Sequence, residues 1–144
     1  QPFESSFGVR WAIWRGQAQM IRDYPLFGAG FGALAHLMRR YQQVLFAQLA
    51  YSESDVMQLI VETGLIGAGL TGWLAWIFFK DTLAHWQARR SRRISALAAG
   101  QISALISLLL HGFVDFNFRI PSNAFLFAVI AALAFVTVRL SEET

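Results

Sequence analysis

Three long stretches of apolar residues, at about 57–79, 94–116 and 121–140, decide what this chain can fold into. The first stretch contains a single charged residue, Glu62, and the other two carry ionisable residues only near their C-terminal ends. A helix rises about 1.5 Å per residue, so each stretch is long enough to cross a hydrocarbon core of about 30 Å. The sequence therefore predicts an all-α polytopic membrane protein with three transmembrane helices.

The composition agrees with this prediction. Hydrophobic residues make up 56% of the chain, and the mean hydropathy of +0.44 is high for a soluble domain. The five tryptophans suit the lipid headgroup zone, where amphipathic rings settle. The sequence has no cysteine, which excludes disulfides and thiol chemistry.

Positive charge is concentrated in the connection between the first two stretches. Residues 80–93 hold one acid, Asp81, and five basic residues: Lys80, Arg89, Arg90, Arg92 and Arg93. The positive-inside rule places this connection in the cytoplasm, the turn FNFRIPSN on the outer side and the C-terminal tail in the cytoplasm. We expect no nucleic-acid partner, because a short basic run between hydrophobic stretches is typical of a topology signal.

Residues 1–56 are predicted to form a loop with amphipathic helices on the outer side of the membrane. In RWAIWRGQAQMIRDY the residues Trp11, Trp14, Ala18 and Ile21 recur at helical spacing with arginines between them. A second helical pattern covers 34–50, and Ser52 or Ser54 is placed to cap the first membrane helix. The chain opens without an initiator methionine or a signal peptide, so we expect one membrane domain that is incomplete at its N-terminus.

The run GAGFG admits two interpretations. It is not a nucleotide fingerprint, because it lacks the third glycine at the right offset, a preceding strand and the Lys-Ser/Thr of a phosphate loop. A helix-ending turn that lets the backbone pass close to its neighbours is favoured. Contact between its backbone N–H groups and an anionic ligand is the alternative.

Two groups of polar residues lie within the apolar stretches. Asp55, Gln58 and Glu62 share one helix face, which must meet other protein or water, and helix pairing is its ordinary explanation. His111 and Asp115 are one turn apart near the outer end of the second stretch. Their spacing leaves open whether they act on a substrate or form a structural hydrogen-bond clamp between helices.

Four motifs in sequence resemble the C-terminal part of the O-antigen ligase and polymerase family of bacterial envelope enzymes: RWAIW, DYPLFGAGFG, SESDVMQLIVETGLIG and HGFVDFNFRIPSNAFLFA. The resemblance covers nearly the whole chain. It implies a multi-pass glycosyltransferase of the bacterial inner (cytoplasmic) membrane with a periplasmic active side. Such an enzyme takes a glycan from an undecaprenyl diphosphate carrier and passes it to lipid A core, to another glycan or, in relatives, to protein.

The resemblance also implies roles for individual residues. Arg10 matches the arginine of the outer loop that is thought to hold the donor diphosphate, where a guanidinium can replace a metal ion in stabilising the leaving group. We therefore expect a metal-independent enzyme without a cofactor. Arg15, Arg119 and Glu62 are further candidates for substrate binding, although contact with lipid headgroups is the ordinary explanation for Arg119.

One position departs from the ligase motif, and it is the position of the catalytic base. Ser54, Gly64 and Gly67 fit that motif, but Glu53 occupies the position of its histidine, which is assigned as the base for the acceptor hydroxyl. Either Glu53 takes that role or the protein uses another base or acceptor. His111 and Asp115 match a motif of the polymerase-like and exopolysaccharide-associated branches, so both are candidates. The alternative function is a non-catalytic transport or assembly subunit of polysaccharide export.

Overall fold

A computed structural model describes residues 6–41 and 54–139 of the chain. These residues form five α-helices and no strand: α1 (Ser6–Asp23), α2 (Ala33–Tyr41), α3 (Asp55–Gln87), α4 (Arg92–Val114) and α5 (Pro121–Thr137). The all-α prediction is confirmed for this part of the chain. Of the second predicted helical pattern, residues 42–50 lie outside the described residues.

Two of the three predicted membrane helices are long and apolar enough to span a bilayer. These are α3, with 33 residues, and α4, with 23 residues. α5 has 17 residues, which at about 1.5 Å each reach about 26 Å and fall short of a core of about 30 Å. It begins at Pro121, as predicted, but ends at Thr137, so the third span remains a prediction.

The apolar helices carry large hydrophobic side chains on their surfaces. Trp73 is 60% exposed, Trp76 is 66% exposed and Phe125 is 72% exposed, and they have many similar neighbours along α3, α4 and α5. A water-soluble monomer rarely exposes contiguous apolar surface of this extent. Lipid or further protein must cover these side chains.

The chain divides into two compact units, the first of which comprises Gln1–Thr71 and Gly112–Phe116. Its core is formed by α1, α2 and the first part of α3, through the buried residues Ile13, Met20, Leu34, Met38 and Val61. The Tyr41 hydroxyl donates a hydrogen bond to Asp23 at 2.5 Å and so joins the ends of α1 and α2. This bond to the carboxylate raises the pKa of Tyr41.

α1 packs one of its faces against the core of the first unit. Ile13, Gln17 and Met20 are buried, whereas Trp11 is 57% exposed and Ala18 is exposed. The stripe of Trp11, Trp14, Ala18 and Ile21 is therefore not the face that packs inside this unit, and its position at the membrane interface stays a prediction. The actual buried stripe follows the residues that pack against α2 and Val61, and the indole rings lie at its side or on the surface.

The second unit comprises Gly72–His111 and Asn117–Thr144. Its polar contacts gather where α3 ends, where α4 begins and where α5 ends. The Trp86 indole N–H donates to the carbonyl and the hydroxyl of Ser95, each at 3.0 Å, and the Arg89 guanidinium donates to the carbonyl of Val138. Arg139 forms an ion pair with Asp81. These contacts hold the connection between α3 and α4 against the C-terminal end of α5.

Candidate functional site

α3 is interrupted at Gly64, which has the left-handed backbone angles φ 68° and ψ −174°. In a continuous helix the N–H groups of Leu65 and Ile66 would donate to the carbonyls four residues earlier, those of Val61 and Glu62. The break separates these partners and leaves two donors and two acceptors to be satisfied within the first unit.

The loop between α1 and α2 supplies all four missing partners. Four backbone hydrogen bonds join it to α3: Ala29 to Val61 at 2.8 Å, Gly30 to Glu62 at 3.0 Å, Leu65 to Pro25 at 2.9 Å and Ile66 to Leu26 at 3.2 Å. Two lost helical bonds are thus replaced by four bonds between segments. This exchange ties the loop to the broken helix and satisfies the backbone at a point where unpaired polar groups are costly.

We call the contact between the α1–α2 loop and the break in α3 the junction. It needs a glycine on each side. A Cβ atom added at Gly28 would lie 2.5 Å from the backbone nitrogen of Gly64, and one added at Gly64 would lie 2.2 Å from the carbonyl oxygen of Leu26. The turn therefore brings the backbone close to a neighbour, as the favoured interpretation of GAGFG predicts. The N–H groups of Ala29 and Gly30 donate to α3, so these two donors are engaged within the protein.

Ser54 caps the beginning of α3. Its hydroxyl oxygen accepts a hydrogen bond from the N–H of Met57 at 3.4 Å and its hydroxyl donates to the carbonyl of Gly112, also at 3.4 Å. Ser54 is buried, so the cap also links α3 to the end of α4 inside the first unit. Of the two predicted caps Ser54 is confirmed, and Ser52 lies outside the described residues.

The polar stripe predicted on α3 is buried within the first unit. Gln58 is 4% exposed and Glu62 is 5% exposed, and the Gln58 amide donates to the Glu62 carboxylate at 2.8 Å. Their mutual bond therefore runs along one helix and does not join two helices. Among the described residues, Gln58 Oε1 has no hydrogen-bond partner.

α1 contributes a buried polar residue that the sequence pattern did not predict. Gln17 is fully buried between Ile13 and Met20, and neither its amide oxygen nor its amide nitrogen has a hydrogen-bond partner in the described part of the chain. The same is true of the indole N–H of Trp14, one turn earlier. Buried polar atoms without partners are rare in native structures. A glutamine in the apolar stripe at 13, 17 and 20 was the sequence signal for this position.

The predicted substrate-binding arginines occupy different places. Arg10 lies in α1, one turn before Trp14 and two turns before Gln17. The structure does not describe its side chain. Arg15 is exposed on the same helix, and Arg119 is exposed in the connection between α4 and α5. Arg10 and α1 belong to the first unit and Arg119 to the second.

The structure describes two of the three candidate catalytic residues. His111 is exposed in the last turn of α4, and Asp115 follows the helix end, where its carboxylate accepts the N–H of Phe116 at 2.8 Å. His111 belongs to the second unit and Asp115 to the first. Glu53 lies outside the described residues. Which of these residues acts as the base therefore remains a prediction.

One comparison with known proteins identifies the segment that carries this junction. A family model described as O-Antigen ligase matches residues 1–72, half of the 144-residue chain. The match covers α1, α2, their connecting loop and the break at Gly64. Comparisons with curated proteins and with solved structures found no match. The chain belongs to the O-antigen ligase family, whose members are membrane enzymes of polysaccharide biosynthesis.

Proposed function

We propose that the chain is part of a glycosyltransferase that ligates or polymerises O-antigen or exopolysaccharide. It moves a glycan from an undecaprenyl diphosphate carrier onto a glycan or lipid acceptor. The observation that carries this proposal is the family match over 1–72, which coincides with the segment where α1, the loop and the broken helix α3 are joined.

The proposed reaction is a direct displacement. A base, either Glu53 or His111, removes the proton of the acceptor hydroxyl, and that oxygen attacks the anomeric carbon of the donor sugar. The bond between this carbon and the diphosphate oxygen breaks, and the lipid diphosphate departs with the electron pair. Arg10 stabilises the charge on the departing diphosphate through the two parallel hydrogen bonds that a guanidinium offers. Asp115 orients His111 where His111 is the base.

The buried polar residues of the first unit support a role in holding a glycan. Gln17, Gln58 and Glu62 place amide and carboxylate groups among apolar neighbours, and such groups suit the many hydroxyls of a sugar. Arg15 and Arg119 add exposed positive charge for the donor diphosphate or for lipid headgroups. Within this proposal Glu62 binds substrate and Gln58 fixes its position.

The proposed location is the inner membrane, with the transfer reaction on the periplasmic side. Residues 1–56 and the turn FNFRIPSN lie in the periplasm, and residues 80–93 lie in the cytoplasm because of their positive charge. Among the described helices, α3 and α4 are long and apolar enough to cross the bilayer. In this arrangement α5 is the third span.

A non-catalytic transport or assembly subunit is the second candidate, and the break in α3 favours it, since transporters bind their substrates at discontinuous helices. One assay separates the two candidates. The purified full-length protein in liposomes receives a lipid diphosphate-linked glycan with and without an acceptor. A transferase yields free undecaprenyl diphosphate and a glycosylated acceptor in the ratio of one to one. A subunit leaves the donor intact in both cases.

A further inference from the structure

The loop between α1 and α2 carries the two most exposed large apolar side chains of the described residues. Phe27 is 77% exposed and Phe31 is 87% exposed, and Leu26 is exposed beside them. The loop comprises residues 24–32, YPLFGAGFG, and contains no charged side chain. An uncharged surface that presents two phenylalanine rings and a leucine indicates contact with an apolar partner.

The backbone of this loop is held by α3 at the junction. The carbonyls of Pro25 and Leu26 accept hydrogen bonds from α3, and the N–H groups of Ala29 and Gly30 donate to it. Pro25 has no N–H group to satisfy. Irregular backbone is tolerated at the depth of a membrane only where protein satisfies its polar groups. The junction meets this condition for these four backbone groups.

The length of the uncharged part of α3 sets the level of the junction in a bilayer. Residues 63–79 lie between two charged residues, Glu62 and Lys80. At about 1.5 Å per residue this run covers about 26 Å, which is less than a hydrocarbon core of about 30 Å. If α3 spans the bilayer, the residues next to Glu62 therefore lie at the edge of that core. The loop pairs with residues 61–66 of α3 and so lies at the same level.

The side chains that α3 exposes at the junction are apolar as well. Leu65 and Ile66 directly follow the break at Gly64, and both are exposed. The N–H of Ile66 donates to the carbonyl of Leu26 at 3.2 Å, so exposed apolar residues of the loop and of α3 meet at the junction. The loop and this part of α3 belong to the same unit. The apolar surface of α3 thus continues onto the loop.

Acyl chains fit this surface better than a sugar does. A sugar needs polar groups that pair with its hydroxyls, and the side chains of the loop offer only the hydroxyl of Tyr24. The N–H groups of Ala29 and Gly30 are already engaged with α3. Arg22 and Asp23 directly precede the loop and are exposed, as expected where lipid headgroups replace acyl chains.

We propose that Leu26, Phe27 and Phe31 insert among the acyl chains of phospholipids at the edge of the bilayer. The loop then re-enters the membrane beside the broken helix α3 and holds α1 and α2 at the membrane surface. None of the three side chains has a role in the proposed transfer reaction, so the insertion of the loop is independent of that reaction.

The test measures the surroundings of a nitroxide spin label on the full-length protein in phosphatidylcholine nanodiscs without a glycan donor. Phe27→Cys and Phe31→Cys place the label on the loop, and Arg22→Cys, at an exposed residue of α1, is the matched control. The 144 residues contain no cysteine, and any cysteine elsewhere in the full-length protein is replaced beforehand.

The readout is the rate at which the label collides with oxygen and with a nickel chelate. Oxygen concentrates among acyl chains and the chelate stays in water, so the ratio of the two rates reports depth in the membrane. We expect oxygen collisions to exceed nickel collisions in Phe27→Cys and Phe31→Cys, and the reverse in Arg22→Cys. The replaced side chains are exposed, so the labelled variants should unfold in detergent at the temperature of the unaltered protein.

Two results would overturn the proposal. Nickel collisions that exceed oxygen collisions at either loop position would place the loop in water, where a glycan could reach it. Slow collisions with both reagents would show that protein, such as a second copy of the chain, covers the loop.

Discussion

Gly28 and Gly64 face each other backbone to backbone, each in a left-handed conformation with φ of 70° and 68° respectively. A Cβ atom built on either residue would lie 2.5 Å from the backbone nitrogen of the other. Gly64 breaks α3, and Gly28 lets the loop between α1 and α2 approach closely enough to pair with the exposed backbone groups. The two glycines together make the junction that organises the first unit.

This relationship predicts severe effects of alanine at both positions. Gly28→Ala or Gly64→Ala combines an unfavourable φ with a clash against backbone atoms, and we expect either to destabilise the protein by roughly 3 kcal/mol or more. Gly30→Ala and Gly32→Ala meet no atom within 4 Å, although both residues have positive φ, and should lose about 1–2 kcal/mol. Gly69→Ala, in a regular and open part of α3, should be neutral or slightly stabilising.

Thermal unfolding of the full-length protein in detergent measures the stability of these five variants. Melting temperatures of Gly28→Ala and Gly64→Ala that equal that of Gly69→Ala would refute the backbone junction.

The second prediction concerns the buried pair of Gln58 and Glu62. Glu62→Ala leaves the buried Gln58 amide without this acceptor and should destabilise the protein by about 1–3 kcal/mol. Glu62→Gln keeps an acceptor oxygen and the shape, so stability should be retained. If Glu62 binds substrate through its charge, Glu62→Gln should raise KM for the donor by about tenfold, with a smaller change in kcat.

Asp23→Asn, which removes the charge of an exposed side chain at the end of α1 but keeps an oxygen to accept the Tyr41 hydrogen bond, is the control for charge alone. If the KM of Glu62→Gln for the donor equals that of the unaltered protein, Glu62 has a structural role only.

The third prediction concerns topology. Reporter domains fused after Arg93 should be cytoplasmic, because of the basic residues at 80–93, and those fused after Asn117 should be periplasmic. The activity of an alkaline phosphatase and the fluorescence of a fluorescent protein, each fused at both positions, report the side of the membrane on which each position lies. The opposite pattern would place the transfer site on the wrong side of the membrane for the donor.

Helical content and membrane character could be read from the sequence because both depend on local periodicity and composition. The runs that became α3 and α4 are apolar enough to identify without knowledge of their neighbours. The cap at Ser54 followed from a local rule as well, since the side chain bonds a backbone group three residues later.

The break at Gly64 could not be located in this way. The break depends on a loop more than 30 residues earlier in the chain. This loop supplies the hydrogen bonds that the backbone groups of α3 lose at the break. The face of α1 that packs inside the first unit could not be read from the sequence for a related reason. Tryptophans dominate the apolar pattern of that segment, but the contacts with α2 and Val61 select the face of Ile13, Gln17 and Met20.

The fourth prediction separates the candidate bases. If Glu53 is the base, Glu53→Gln should abolish transfer and leave membrane insertion and donor binding intact, because the amide keeps the shape but cannot take a proton. Glu53→His should then restore part of the activity. If His111 is the base, His111→Ala should be inactive and Glu53→Gln active.

His36→Ala, at an exposed histidine of α2, is the matched control and should have normal activity. Full activity in both Glu53→Gln and His111→Ala would remove both residues from the mechanism.

The proposed transfer reaction, with Arg10 on the departing diphosphate, is tested most directly by acceptor-dependent release of undecaprenyl diphosphate. The release by the purified full-length protein is compared between Arg10→Lys and Arg22→Lys. Arg22 is exposed at the end of α1 and keeps its charge in the lysine variant. We expect transfer by the unaltered protein and by Arg22→Lys. Arg10→Lys should lose about a hundredfold in kcat, because lysine cannot form the bidentate contact with a diphosphate. Transfer by Arg10→Lys at the unaltered rate, or no acceptor-dependent release by the unaltered protein, would contradict the proposed reaction.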